Sequence, residues 1–253
     1  MLNRMIADEL VDQEGDELRL TMLGRACGES PLGLESAMRL IEILRSVRPE
    51  EATPETLAVL LEVLPERDED YTPQIRQGEP RWQQAVRQRF GHNLANALRM
   101  RARSDKEYYA RCKRALIVAE WIDGVPSSDI EGRYTVNPFS PVGHGDIRGF
   151  ADGSRFLLEA VMRIASIVLQ IGMDGEANIT FFKRLELGIP ADALPLIELG
   201  VALNRGEILR LWHRGIRTRD DVAAVGREEL EALMGALGRR LFEAATVEIP
   251  AAV

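Results

Sequence analysis

The stretch GDIRGFADGSRFLLEAVMRIASIVLQI, residues 145–171, has the longest apolar periodicity in the chain. Its apolar residues recur at helical spacing and its polar residues fall between them, so the two kinds occupy opposite sides of a helix. The apolar side comprises Leu157, Leu158, Val161, Ile164, Ala165, Val168 and Leu169, and the polar side comprises Arg155, Glu159, Arg163, Ser166 and Gln170. The pattern predicts a long amphipathic helix with one face against a core and one face exposed.

The sequence on either side of this helix predicts more helices. Apolar residues recur at helical spacing over 34–44 and 57–64, and two arginine-rich helices are predicted over 81–103 and 105–121. Gly15 and the alternation Leu18, Arg19, Leu20 predict one short β-hairpin near the N-terminus. We therefore expect an all-α protein, a multi-helix bundle followed by a small helical domain, with this hairpin as its β-structure.

Three segments are expected along the chain. A helix followed by a hairpin is the second half of a winged helix, so residues 1–30 are interpreted as a partial winged helix that begins within a domain. Residues 31–175 are predicted to form the bundle, and residues 176–253 the small domain. The boundary is placed at the turn-rich GMDGEAN, residues 172–178.

The distribution of charge leaves two interpretations open. A net charge of −8 disfavours nucleic acid, because affinity for a polyanion comes mainly from neutralised phosphates. Residues 76–114, however, hold eleven basic residues against three acidic ones, and this basic band includes Arg76. The band is either a face that meets a polyanion or two solvated, arginine-rich helices. The acids Asp68, Glu69 and Asp70 lie in a proline-flanked loop and are expected to be solvated.

The sequence gives no support for a membrane span, a signal peptide, a disulfide, a metal site or an ATP-binding loop. No apolar run is long enough to span a membrane, and acids interrupt the N-terminus where a signal peptide would be apolar, so a cytoplasmic location is expected. Cys27 and Cys112 lie far apart, and the three histidines have no ligand-type spacing, so neither a disulfide nor a metal site is expected. The chain contains no G-x-x-x-x-G-K-[ST] loop and is not expected to be an ATPase by itself.

Three patterns in a fixed order carry a resemblance to a known family. They are LTMLGRACGESPLGLESAMRL (20–40), AEWIDGVPSSDIEGRY (119–134) leading into the long helix, and FFKRLELGIPADALPLIELGVALNRGEILRLWHRGIRTRDDVAA (181–224). The order resembles the C-terminal half of superfamily-two helicases of the superkiller and archaeal repair type. The resemblance implies a winged helix, a bundle with a so-called ratchet helix, and a helix-hairpin-helix domain. In the first pattern Thr21 would cap a helix and Gly24 would allow close packing.

In the second pattern the resemblance implies that the ratchet helix touches single-stranded nucleic acid. Arg148, Arg155 and Arg163 are seven and eight residues apart, which places them on nearly one helix face about 11 Å apart, so they can follow phosphates. Phe156 stands where the family has an aromatic residue that stacks on a base. The alternative for Phe156, which the adjoining Leu157 and Leu158 favour, is burial in the bundle.

In the third pattern the resemblance implies a sharp turn whose backbone N–H groups meet a phosphate. Ala202, Leu203 and Asn204 replace the usual glycine-apolar-glycine core. Asn is the non-glycine residue that best tolerates a left-handed conformation, so Asn204 is expected to keep the turn. The candidate nucleic-acid-binding residues are Arg148, Arg155, Phe156, Arg163, Asn204, Arg205, Arg210 and Arg214.

The resemblance thus implies a region that guides single-stranded DNA or RNA leaving the motor of an ATP-dependent helicase. ATP and Mg would be bound by ATPase domains supplied in cis or in trans. The alternative is a helical protein-interaction scaffold derived from such a region, with no nucleic acid bound. The two differ in whether the cations converge on an open groove or are paired internally with acids.

Overall fold

The computed structural model describes residues 1–73, 75, 79–172 and 175–247, and almost every element in them is a helix. Short 3₁₀ segments cover Pro49–Glu51, Leu61–Val63 and Ala191–Leu199. The α-helices are α1 (Leu2–Ala7), α2 (Met22–Gly28), α3 (Leu34–Leu44), α4 (Pro54–Leu60), α5 (Pro65–Asp68), α6 (Arg81–Arg99), α7 (Asp105–Ile122), α8 (Ser127–Tyr134), α9 (His144–Val168), α10 (Gly175–Leu187), α11 (Arg205–Trp212), α12 (Arg219–Val225), α13 (Arg227–Met234) and α14 (Ala236–Thr246). The prediction of an all-α fold is confirmed. None of the described helices is long and apolar enough to cross a bilayer.

The N-terminal hairpin is present as predicted. Strands β1 (Val11–Glu14) and β2 (Glu17–Leu20) pair antiparallel, and Gly15 turns the chain with a φ of +63°. Thr21 caps α2, because its hydroxyl accepts the Gly24 N–H at 2.9 Å. A side chain at Gly24 would collide with the Leu10 carbonyl, so this glycine is required for the hairpin to pack closely on α2.

Two separate apolar cores divide the chain. The larger core runs from Leu10 to Leu185 and includes residues of the hairpin segment, the bundle and α10. The smaller core runs from Ile189 to Ala245 and belongs to the small C-terminal domain. Helix α10 therefore packs with the bundle, and the division between cores falls between Leu185 and Ile189, later than the turn proposed from the sequence.

A buried carboxylate, Glu62, organises the centre of the bundle. Its Oε1 accepts hydrogen bonds from Arg67 at 2.9 and 3.2 Å, and its Oε2 accepts one from Arg114 at 2.6 Å. All three side chains are almost completely inaccessible to water. Arg67 also donates to the Phe150 carbonyl of α9 at 3.3 Å, and Gly153 in the same helix leaves room for its guanidinium. This cluster, Glu62 with Arg67 and Arg114, ties α9 to the segment around α5 and to α7.

A second ion pair corrects the expectation for the acids at 68–70. Asp68 is buried, and both of its oxygens accept from Arg111 of α7, at 2.6 and 2.7 Å. Arg111 also donates to the Leu98 and Met100 carbonyls and so satisfies the end of α6. For Asp68 the prediction of a solvated loop acid is wrong, because the buried Arg111 required a partner. Asp70 pairs with Arg67 at 2.5 Å, but its side chain stays 38% exposed.

The basic band does not form a continuous cationic face, the first of the two interpretations that the sequence left open. Arg111, Lys113 and Arg114 point inward, and burial lowers the pKa of Lys113 to about 8. Many exposed members pair with acids, as in Arg89 with Asp123 and Arg101 with Glu42, both at 2.6 Å. Arg76 lies outside the described residues. Much of the local excess of positive charge is therefore either buried in the bundle or paired with acidic side chains.

We predict that Glu62→Gln lowers the free energy of unfolding by about 3 to 5 kcal/mol, because two buried guanidiniums lose their counter-charge. Denaturant unfolding monitored by circular dichroism measures this. Burial opposes the charge on Glu62, but Arg67 and Arg114 together hold its pKa below the usual range. The stability from this group is therefore present above the unfolded pKa of about 4.3 and is lost as the pH falls through the lower folded pKa.

The matched control is Glu17→Gln, which removes an exposed ion pair with Arg19 on the hairpin and should cost no more than about 1 kcal/mol. The difference between wild type and Glu62→Gln should also shrink at acidic pH, where Glu62 itself becomes neutral. Equal effects of the two substitutions at neutral pH would contradict the assigned role.

Candidate nucleic-acid interface

The polar face of α9 forms one wall of an open groove of about 1080 Å³. The end of α2 and the turn after it form the opposite wall, and Phe182 of α10 closes one side. Residues of α9 that line the groove are Asp152, Arg155, Phe156, Glu159, Ala160 and Arg163, and those of the opposite wall are Ala26, Glu29, Ser30 and Pro31. The predicted exposed face of the amphipathic helix is thus the face that bounds the groove.

The orientation of α9 follows from its buried side and its start. The side chains of Leu158, Val161 and Ile164 are completely buried. At the start of the helix, the Asp146 carboxylate accepts the Gly143 N–H at 2.8 Å, which satisfies a terminal donor. The opposite face, which carries the candidate arginines, is therefore directed to solvent.

Two of the candidate arginines lie in the groove and both have acidic partners. Arg155 pairs with Glu186 of α10 at 3.3 Å, and Arg163 pairs with Glu29 at 2.5 Å. All four side chains remain about half exposed, so these pairs contribute little stability and a competing anion can displace them. The lining also includes Asp152 and Glu159, which gives the groove a mixed charge.

Phe156 lies between the two arginines in sequence and 68% of its surface is exposed. The expectation that Leu157 and Leu158 would draw it into the bundle is wrong, because those two residues belong to the buried side of α9 and Phe156 does not. An exposed ring in an open groove has a free face on which a base can stack.

Arg148 is on the same helix but does not line the groove. Its guanidinium donates to the Glu186 carbonyl at 3.2 Å and lies 5.9 Å from the centre of the Trp121 ring. It lines a second cavity, of about 550 Å³, where the bundle meets the C-terminal domain. Arg210 of α11 lines the same cavity. The three arginines predicted to share one face of this helix, Arg148, Arg155 and Arg163, are therefore divided between two openings, and Glu186 contacts an arginine of each.

The start of α11 differs from the sequence-based expectation. Asn204 has an extended conformation with a φ of −82°, and the left-handed position is Gly200, with a φ of +71°. The Asn204 side chain accepts the Glu207 N–H at 3.0 Å, and the Glu207 carboxylate accepts the Asn204 N–H at 2.7 Å. Asn204 is thus the cap of the helix, and its capping box uses donors that a phosphate would need.

Arg205 points into the protein, so we remove it from the candidate set. Its guanidinium donates to the Gly188 and Val125 carbonyls, each at 2.7 Å, and lies 4.1 Å from the centre of the Trp121 ring. Further bonds reach the Trp121 carbonyl and the Ser127 hydroxyl, both at 3.3 Å. Burial lowers its pKa to about 10. The side chain fastens the C-terminal domain to the bundle.

The remaining candidates of the C-terminal domain are on its surface. Arg210 and Arg214 are exposed, and neither pairs with a carboxylate of the described residues. Leu209, Leu211 and Ile216 are buried in the smaller core, as their apolar pattern predicted. No residue of the basic band lines either opening within the part of the chain that the structure describes.

Comparison with known proteins places this chain in a family. Residues 59–186 match the family described as archaeal helicase, domain 4. The chain belongs to this family. The matched range begins at the end of α4 and ends in α10, so it contains the Glu62 cluster and all of α9, and it ends where the larger core ends.

Three proteins similar to this member of the archaeal helicase domain 4 family bear one name, ATP-dependent DNA helicase Hel308. The one from Pyrobaculum calidifontis is 25% identical over 245 residues, which cover 94% of this chain and 31% of that protein. The one from Pyrococcus abyssi is 24% identical over 140 residues, 55% of this chain and 18% of that protein. The one from Pyrococcus horikoshii is 25% identical over 149 residues, 54% and 20%. The chain spans about a third or less of these relatives.

These matches confirm the resemblance to the C-terminal region of archaeal superfamily-two helicases. Sequence reasoning missed Glu29, Glu186 and Trp121, which contact the cations of the two openings. Their spacing from the arginines shows no helical or strand period that could have identified them. Glu29, for example, lies 134 residues from Arg163.

We predict that Arg205→Ala lowers the free energy of unfolding by about 2 kcal/mol or more, because a charged donor that bonds several carbonyls is lost. Denaturant unfolding measures this. Arg214→Ala, which removes an exposed arginine two residues after the end of α11, should change stability by no more than about 0.5 kcal/mol. Equal stability of the two variants would contradict the structural role of Arg205.

Proposed function

We propose that this chain is a nucleic-acid-guiding region, without motor activity of its own, of an ATP-dependent helicase, and that its groove contacts single-stranded DNA. One observation carries the proposal: within a family named for archaeal helicases, α9 presents Arg155, Phe156 and Arg163 side by side in an open groove. Cations that follow phosphates, with an aromatic ring that stacks on a base, are the combination used to bind single strands without sequence preference.

DNA is preferred to RNA because the similar proteins are named DNA helicases. ATP and Mg would be bound by ATPase domains, in cis or in trans, since the chain has no phosphate-binding loop of its own. We also propose a cytoplasmic location, as expected from the sequence. The overall negative charge and the acids in the groove imply weak binding that depends strongly on salt.

A protein-interaction scaffold is the second candidate, and specific pairs favour it. The basic band is largely paired, Arg163 contacts Glu29 across the groove, and Arg155 contacts Glu186 of α10. In a scaffold these pairs would be structural, and the groove would take an acidic or apolar partner segment instead of a strand. The two functions differ in whether the chain binds DNA, and only the first predicts an affinity that rises when the glutamates are neutralised.

We predict that the double substitution Arg155→Ala and Arg163→Ala weakens binding of oligothymidylate. Each arginine that neutralises one phosphate contributes about 0.7 to the salt slope for a single strand, so the slope should fall by about one to two units. Fluorescence anisotropy of a labelled oligonucleotide across a salt series measures both quantities.

Arg99→Ala with Arg103→Ala is the matched control, because these exposed arginines of the band lie outside the groove and removing them changes net charge equally. Glu29→Gln should act in the opposite direction and strengthen binding, since Arg163 is released. Loss of affinity in the band variant alone would move the contact away from α9, and no binding by wild type at low salt would favour the scaffold.

We predict that Phe156→Ala weakens oligothymidylate binding by about 1 to 3 kcal/mol, the usual value of one stacked base, and leaves the salt slope unchanged. The same titration measures it, and unfolding should be nearly unaffected because the ring is exposed. Phe139→Ala is the control, since Phe139 is almost fully exposed in the loop before α9 and does not line the groove. Identical affinities of both variants would exclude stacking at Phe156.

A further inference from the structure

The second opening has a different electrostatic character from the groove. This junction pocket, of about 550 Å³, lies where the end of α7, the start of α9 and α11 meet, and its volume is in the range of small-ligand sites. Among the described residues that line it there is no aspartate or glutamate. The lining carries the guanidiniums of Arg148, Arg205 and Arg210 and the imidazoles of His144 and His213, and the Arg205 guanidinium is bonded to protein oxygens.

Three of these side chains lie close to the indole ring of Trp121. The guanidiniums of Arg205 and Arg148 lie 4.1 and 5.9 Å from the centre of its ring, and the His144 ring meets it edge-on at 5.9 Å. The ring attracts each cation but does not cancel the repulsion between them. An anion bound between them would relieve that repulsion, and the low accessibility of Arg205 would strengthen the attraction.

The nearby acids make few close contacts with the cations of the pocket. The Asp152 carboxylate is 3.9 Å from Arg148, which is a long contact, and the Glu207 carboxylate is held by the Asn204 N–H at 2.7 Å. The contact recorded for the Arg210 side chain within the described residues is a long one of 3.9 Å to the Met234 sulfur. Arg210 and His213 are exposed, and their donors are available to a ligand.

We propose that the junction pocket binds a phosphate group. The strand in the groove is its natural source, because Glu186 bonds Arg148 through its carbonyl and Arg155 through its carboxylate, which joins the pocket to the groove. A backbone phosphate of the same strand would then sit between α9 and α11 and connect the bundle to the C-terminal domain. The assignment of the strand as the source rests on the proposed function, whereas phosphate binding itself does not.

The three histidines of the chain provide a direct test. His144 and His213 line the pocket, and His92 is exposed elsewhere, so His92 serves as an internal reference. Inorganic phosphate added to the full chain at constant pH should shift the ring NMR signals of His144 and His213 in a saturable way. Sodium chloride at the same ionic strength should not. Equal shifts of all three rings, or none, would overturn the proposal.

A pair of double variants separates the pocket from general surface charge. Arg210→Ala with His213→Ala should weaken phosphate binding about tenfold or more, the equivalent of one charge-assisted hydrogen bond. Binding is followed in both variants by the shift of His144. Arg240→Ala with His92→Ala removes the same residue types outside the pocket and should change affinity by less than about twofold. Equal losses in the two variants would contradict a defined site.

Oligothymidylates with a 5′-hydroxyl or a 5′-phosphate then identify the source. Equal affinity of the two, with both weakened by the pocket variant, supports a backbone phosphate. A preference for the 5′-phosphate would overturn that part and assign a terminal group. Histidine shifts with inorganic phosphate but no oligonucleotide binding would keep the pocket and refute the proposed function. Oligonucleotide binding without histidine shifts on addition of inorganic phosphate would support the proposed function and refute phosphate binding in the pocket.

Discussion

Glu62 is a carboxylate with almost no contact with water, and it holds two guanidiniums that are equally buried. Burial of three charges is costly, and such pairs add little net stability, so their main effect is on geometry. While bonded to Glu62, Arg67 also donates to the Phe150 carbonyl and lies beside Gly153, which positions α9 relative to α7. The groove depends on this contact, because α9 forms one of its walls.

The same constraint explains why a local excess of basic residues does not produce a basic surface. Arg111 and Arg114 neutralise Asp68 and Glu62 inside the bundle, and Arg111 completes the end of α6. Many of the exposed cations of the band have acidic partners on neighbouring helices. The ion pair between Arg114 and Glu62 could not be predicted from the sequence, because the two residues are 52 positions apart.

The two openings along α9 have complementary properties. The groove offers an exposed aromatic ring and two arginines that are already paired with acids, an arrangement suited to weak and reversible contact. Among the described residues the junction pocket has no acidic lining residue, and two of its arginines, Arg148 and Arg205, lie beside Trp121. A strand that passed from one to the other would meet stacking first and phosphate recognition next, with Glu186 between them. Arg205 joins the two domains independently of any ligand.

The sequence by itself determined the helices, the hairpin, the buried stripe of α9 and the family, because periodicity, turn residues and motif order are local or collinear properties. The tertiary structure alone decided which charges face water. Arg205 and Arg210 are equally basic in sequence, yet the first is enclosed by carbonyls of α7 and its neighbours and the second is exposed. Likewise the position of Phe156 depended on how α9 rotates against its neighbours, and the partners Glu29 and Glu186 come from distant helices. Side-chain burial and pairing arise from contacts between segments remote in sequence, which no local pattern encodes.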